Sequence, residues 1–230
     1  MKRYDNATDG LKLVLRHWSA GCTAWVGFPT EERKLDALDT KWAEIYGTRL
    51  PPHARHARRK RGQPTALALA HRAPMGKWQA WLLRTDGDDG DPGSPWRHEK
   101  WIRTPPVVGP KDAELRMVMM PRLRRDYRWT WVLSDRHLNM IGSHLRTLVK
   151  AGNAGELVFA LHSTMKGLPM FGGVRQQLRK EITSQERLWK RCWQDRPWPW
   201  PPAAYPWSDG VPMMGGYRSA VTEGSVTSQP

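Results

Sequence analysis

The chain is expected to fold as an α+β protein, on three observations. Runs at 10–18, 77–85, 113–120 and 127–134 have the length and alternation of strands. Longer runs at 30–47, 135–150, 155–166 and 174–193 repeat apolar residues at the spacing of amphipathic helices. The last two strands read as an antiparallel pair, and three consecutive helices make the C-terminal half helix-rich.

In order, GLKLVLRHW (10–18) alternates apolar and polar residues and predicts a first strand, with TAWVGF (23–28) as its partner or the start of a loop. Thr30 is placed as the N-cap of a helix, with Glu31 and Glu32 at the positive end of its dipole and Gly47 as its stop. Leu35, Leu38, Trp42 and Ile45 form the apolar face of that helix. After Pro51-Pro52, HARHARRKR predicts a short basic helix ended by Gly62 and Pro64, and TALALAHR predicts another helix. KWQAWLLRT (77–85) reads as a strand, and DGDDGDPGSP (86–95) as an acidic turn-rich loop without the Glu that a calcium-binding EF-hand loop requires. AELRMVMM and YRWTWVLS pair across a basic tip, PRLRRD. Ser134-Asp135 caps the next helix, with Leu138, Ile141, Leu145 and Leu148 on one face and Gly152 after it. In the long helix at 174–193, Val174, Leu178, Ile182 and Trp189 face inward and the outer face is basic. PWPWPPAAYPW excludes regular structure. The expected division is a core of 1–48 plus 73–134, an inserted basic arm at 49–72, a helical and Gly-rich part at 135–218, and a disordered tail at 219–230.

Charge narrows the function classes. The 230 residues carry 37 Lys+Arg against 22 Asp+Glu, a formal net charge of +15, which favours a polyanionic partner: nucleic acid before an anionic membrane. No apolar run approaches 18 residues and no secretory leader opens the chain, so a cytoplasmic protein with no membrane partner is expected. Cys22 and Cys192 have neither metal-site spacing nor a disulfide framework. The 14 Trp exceed the 5 Tyr and 3 Phe together. Basic residues interleaved with large π-faces suit single-stranded nucleic acid, and high-GC coding sequence is the competing cause of that enrichment.

From Ile45 to Thr85 there is no acidic residue while nine Lys/Arg occur. Self-repulsion in such a segment is tolerable when a polyanion neutralises it, so Arg49, Arg55, Arg58, Arg59, Lys60, Arg61 and Arg72 are candidate nucleic-acid contacts, joined by Arg122, Arg124 and Arg125 of the hairpin tip. The plain alternative is a solvated face or a sorting signal. PMFGGVR (169–175) recurs as PMMGGYR (212–218), identical at five of seven positions. Gly172, Gly173 and Arg175, with Gly215, Gly216 and Arg218, are candidate phosphate contacts at a helix start, against the plain alternative of a chain-reversal turn with buried Met and Phe.

No nucleotide-hydrolysis or metal motif is present, and no metal or other cofactor is expected. The eight histidines are scattered; His137 and His144 share a helix face without a third ligand. Metal-independent RNA cleavage remains open, because the substrate's own 2′-OH is the nucleophile and the protein need only position it, take its proton and neutralise charge. His17 with Arg16 is one candidate pair, and His53 with His56 another.

The Arg-rich insertion PPHARHARRKRGQPTALALAHR (51–72) and the glycine pairs in PMFGGVR and PMMGGYR resemble the crRNA-processing endoribonuclease of type IV CRISPR–Cas systems, over roughly 10–218. The resemblance implies a ferredoxin-like (RRM-like) core of antiparallel strands with an inserted helical arm, and an RNA partner, a CRISPR repeat hairpin cleaved without metal and retained as mature crRNA with other subunits of a ribonucleoprotein complex. The three helices at 135–193 exceed what a second ferredoxin-like half holds. The competing expectation is a non-enzymatic DNA-binding protein of a plasmid or integrative mobile element, with 135–193 as its reading unit; a basic scaffold of a ribonucleoprotein is the third.

Overall fold

A computed structural model describes residues 1–73, 77–88, 90–91, 93–98, 100–108, 115–121 and 127–200. It is a mixed α+β fold with two sheets. Strands β1 (Lys2–Tyr4), β2 (Cys22–Thr30), β3 (Ala66–Arg72) and β4 (Trp78–Thr85) form the first, in the order β1-β3-β4-β2. β1 runs parallel to β3, and the other pairs are antiparallel. Strands β5 (Val107–Val108), β6 (Leu115–Pro121) and β7 (Tyr127–Leu133) form the second, antiparallel throughout.

Between the sheets lies α1 (Ala7–Ser19), where the alternation of 10–18 predicts a strand. Asn6 caps it, its side chain accepting from the Asp9 N–H at 2.8 Å, which is the local helix signal beneath the alternation. Leu11, Val14 and Trp18 form a buried helical stripe, and Leu13 and Leu15, partly buried, pack on the same core. A helix covered on two sides carries apolar residues around much of its circumference, and Leu11, Leu13 and Leu15 then mimic a period of two. At Gly10 the helix backbone closes on β3: a methyl there would lie 2.4 Å from the His71 Cβ. On its other side the Trp131 indole donates to the Leu11 carbonyl at 3.1 Å.

The stretch 66–72, expected as helix and as part of the inserted arm, is the strand β3. Pairing with β1 on one edge and β4 on the other outweighs the few tenths of a kcal/mol per residue by which Ala and Leu favour helix. Alternation divides it. Leu69 and His71 meet α1, while Ala66 and Ala68, with Ala80 and Leu82, pack against Trp42, Tyr46 and Trp96. The inserted arm therefore shortens to the segment before β3.

Helix α2 (Leu35–Tyr46) starts later than Thr30, which is the last residue of β2 opposite Trp78. Glu31 is extended and one 3₁₀ turn, Glu32–Lys34, intervenes. Gly47 ends α2 in the left-handed region at φ 63°, as its position predicts. The basic helix is present as α3 (Pro52–Lys60), and α4 (Pro95–His98) follows β4. Three C-terminal helices follow the expectation closely: α5 (Asp135–Ala151), α6 (Ala154–Gly167) and α7 (Gly172–Cys192). Ser134 and Asn153 cap the first two, and Gly152 at φ 69° separates them. α7 packs on β7 and α5 through Val174, Leu178, Ile182 and Trp189. Among the described residues no helix is long and apolar enough to cross a membrane.

Candidate nucleic-acid interface

Helix α3 is a helix without a core. Pro51 is extended and Pro52 opens the first turn, where the missing N–H costs nothing. None of its nine residues is buried, and a helix this short is marginal in isolation. Its first bond is the helix's own, and its C-terminal end is tied to the first sheet. The Arg55 N–H donates to the Pro51 carbonyl at 3.1 Å, and the Gln63 N–H to the Arg58 carbonyl at 3.0 Å. Arg59 Nε donates to Thr65 Oγ1 at 3.1 Å, and the Thr65 N–H in turn donates to Thr85 Oγ1 at 3.0 Å. Its last-turn cations, Arg58, Arg59 and Lys60, sit at the negative end of the helix dipole.

This anchorage brings the arm to the C-terminal end of α1. Burial of the half-buried imidazole, then the positive charges of Arg16, Arg55, Lys2 and Arg59, push His17 down to about 4. The charges of four cations, on α1, α3 and β1, thus act on one imidazole and hold it neutral at pH 7. Nearby, burial raises the Cys22 thiol to about 11 against the opposing pull of Arg59 and Arg55. Among the described residues none of Lys2, Arg16, Arg55, Arg58, Lys60 or Arg61 forms an ion pair, and Arg59 bonds only to a hydroxyl. A phosphate placed there would neutralise the cluster and, by its own charge, raise His17 towards neutrality.

The remaining candidates separate. His53 and His56 are exposed on α3. Arg49 is committed to Asp39 at 2.9 Å. There, burial raises the carboxyl, and the N-terminal ammonium and Arg49 outweigh it, so Asp39 is held below the usual range. Arg72, in β3, pairs with Glu32 at 3.5 Å and lies 5.5 Å over the Trp78 ring. Arg84, buried beneath α4, is satisfied by the carbonyls of Trp96 and Gly87 and by the rings of Trp96 and Trp101. Arg122, Arg124, Arg125, Gly215, Gly216, Arg218 and the tail 219–230 lie outside the described residues.

The first glycine pair opens α7 beside a cavity of about 300 Å³, lined by Arg128, Trp129, Thr130, Gly172, Arg175 and Gln176 among others. Gly173 is fixed by packing, since a methyl there would lie 2.6 Å from the Trp131 carbonyl oxygen. Its N–H donates to Thr130 Oγ1 at 3.1 Å and is not left for a ligand. Phe171, before the pair, is buried, as a helix-entry turn requires. Among the described residues no group of three His, Cys, Asp or Glu is placed to hold a metal ion.

Sequence reasoning missed Lys2, because a three-residue edge strand has too short a pattern to read. It also missed that the charges of three elements, α1, α3 and β1, act on His17. Compared with known proteins, the chain matches no family model, no curated protein and no solved structure.

Proposed function

We propose that the chain binds RNA between α3 and the C-terminal end of α1, and that His17 acts as the base in a metal-independent cleavage of the bound strand. One feature carries this reading: an imidazole held neutral by burial and by the charges of Arg16, Arg55, Lys2 and Arg59, none of which has a carboxylate partner among the described residues. His17 takes the 2′-OH proton, the 2′-oxygen attacks the adjacent phosphorus, and the bond to the 5′-oxygen breaks. The leaving 5′-oxygen recovers a proton, giving a 2′,3′-cyclic phosphate and a 5′-hydroxyl. The arginines stabilise the charge that accumulates on the phosphorane. DNA lacks the 2′-OH and would be bound without being cut.

The resemblance to type IV crRNA-processing endoribonucleases makes a CRISPR repeat hairpin the first substrate to try, in a cytoplasmic ribonucleoprotein setting. Its ferredoxin-like part fits the four-stranded sheet only loosely. A β-α-β-β-α-β unit places one helix between its last two strands, whereas here both α2 and α3 precede the β3–β4 hairpin. The test is incubation of the full chain with candidate repeat hairpins in EDTA. Cleavage ending in a 2′,3′-cyclic phosphate is expected, lost in His17→Gln while binding is kept; intact RNA throughout overturns the nuclease role. A second reading, duplex DNA binding without chemistry, is favoured by α7, whose outer side exposes Arg179, Lys180, Arg187 and Arg191. Preference for duplex DNA over an RNA hairpin would select it.

A further inference from the structure

Alternation in the second sheet places Leu115, Met117, Trp131 and Leu133 on the side facing α1, and all four are buried. The contacts follow the helix axis. Trp131 bonds to Leu11, and the Trp129 ring meets the Trp18 ring edge-on at 6.0 Å. From Leu133 back towards Tyr127, β7 therefore runs towards the C-terminal end of α1. The next residue on this side is Tyr127, 61% exposed, and diagonally across the ladder is Met119, 51% exposed. α1 ends at Ser19, and its cover of the hairpin ends with it. The same side of the hairpin that is core beside Leu11 thus overhangs the helix end that carries Arg16 and His17, where Arg55 and Arg59 also act.

Resting on the nucleic-acid reading above, we propose that Tyr127, with Met119 beside it, is a stacking surface for unpaired bases of the RNA whose backbone the α3–α1 cluster holds. The side chain is mostly open to water, towards the end of α1 where cations lack acidic partners among the described residues. A base stacked on an aromatic ring and its phosphate neutralised by arginine is the pairing that single-stranded nucleic acid supplies and a base-paired stem, whose π-faces are occupied, does not. The substrate class is accordingly a hairpin with an unpaired flank, not a blunt duplex.

The test compares two RNAs on the full chain: a hairpin with a single-stranded flank containing 2-aminopurine, and the same hairpin without the flank. Binding should quench the 2-aminopurine signal. Tyr127→Ala should weaken the flanked RNA by about 5- to 100-fold and leave the blunt hairpin unchanged, with Tyr127→Phe restoring affinity. Met119→Ala should give a smaller loss of the same kind, which keeps the test open should Tyr127→Ala unfold. If Tyr127→Ala and Met119→Ala bind the flanked RNA as tightly as the parent chain, or lose both RNAs equally, the stacking role is overturned. Arg55→Ala with Arg59→Ala should weaken both RNAs; unchanged affinity there overturns the nucleic-acid reading, and the stacking surface with it.

Discussion

Helices α3 and α7 carry much of the positive display, and they are built in opposite ways. α7 has 21 residues and buries Val174, Leu178, Ile182 and Trp189 against the core. Its outer cations are what any amphipathic helix shows to water, and Lys190 meets Glu186 at 2.7 Å in the familiar i,i+4 pair. α3 has nine residues and buries none, so its charge is not the complement of a packed face. It is nonetheless tied to the sheet at its C-terminal end, and the charges of Arg55 and Arg59 act on an imidazole of another helix. Net charge does not distinguish the two helices; what lies beneath the charge does.

The largest expected effect tests that contrast directly. Replacing Arg55, Arg58, Arg59 and Arg61 by Ala should weaken RNA binding by orders of magnitude with an unchanged circular dichroism spectrum. The slope of log Kobs against log salt should flatten by roughly 0.7 for each phosphate no longer neutralised. Four Ala substitutions at Arg179, Lys180, Arg187 and Arg191 should do far less, and equal losses from both sets would dissolve the distinction. Next, His17→Gln should lower cleavage by about 10²- to 10⁴-fold, in the range for a removed general base, with affinity retained.

Stability effects are smaller and sharpen the other half of the comparison. Gly173→Ala forces a methyl against the β7 backbone and should cost about 1–3 kcal/mol, as overpacked sites do, read as a lower midpoint in urea. Gly172→Ala, with only Thr130 Oγ1 at 3.8 Å, should change stability by less than about 0.5 kcal/mol. Acid should also discriminate between positions. Burial first of all holds both His17 and His71 below the ordinary imidazole value of 6.5, so the unfolded chain binds protons more tightly than the folded one. Their contribution is complete above about 6.5 and is lost for His17 as pH falls towards about 4. Thermal melts should drop across that window, and His17→Gln should remove part of the drop.

The C-terminal helices were legible because each has a polar face turned to water, and α5 and α6 also carry the side-chain caps Ser134 and Asn153. The first helix was not. Two sheets cover α1, so the contrast between its faces that defines amphipathicity is largely gone, and only the Asn6 cap marked it. β3 was hidden by its Ala and Leu content; the small Ala66 and Ala68 are what let Trp42 and Tyr46 settle on the sheet. The arm could be read from its missing acids alone. His17 could be named but not ranked above His53, since its neighbours come from β1 and α3. Tyr127 read as an ordinary strand residue because its exposure depends on where α1 stops.

The position of α1 also governs how the molecule can be divided. Its residues belong to one continuous core with Leu69, Trp81 and Leu83 of the first sheet and with Met117, Trp131 and Leu133 of the second. A fragment ending before β6 would leave one flank of α1 bare, and a fragment beginning at β6 would lack the surface on which Trp131 rests. Neither half is a module that could be exchanged or expressed alone, so the chain should melt in a single cooperative transition. In an evolving lineage the α3 arm can change without disturbing a core, since it buries no residue, while α1 must keep faith with both sheets at once.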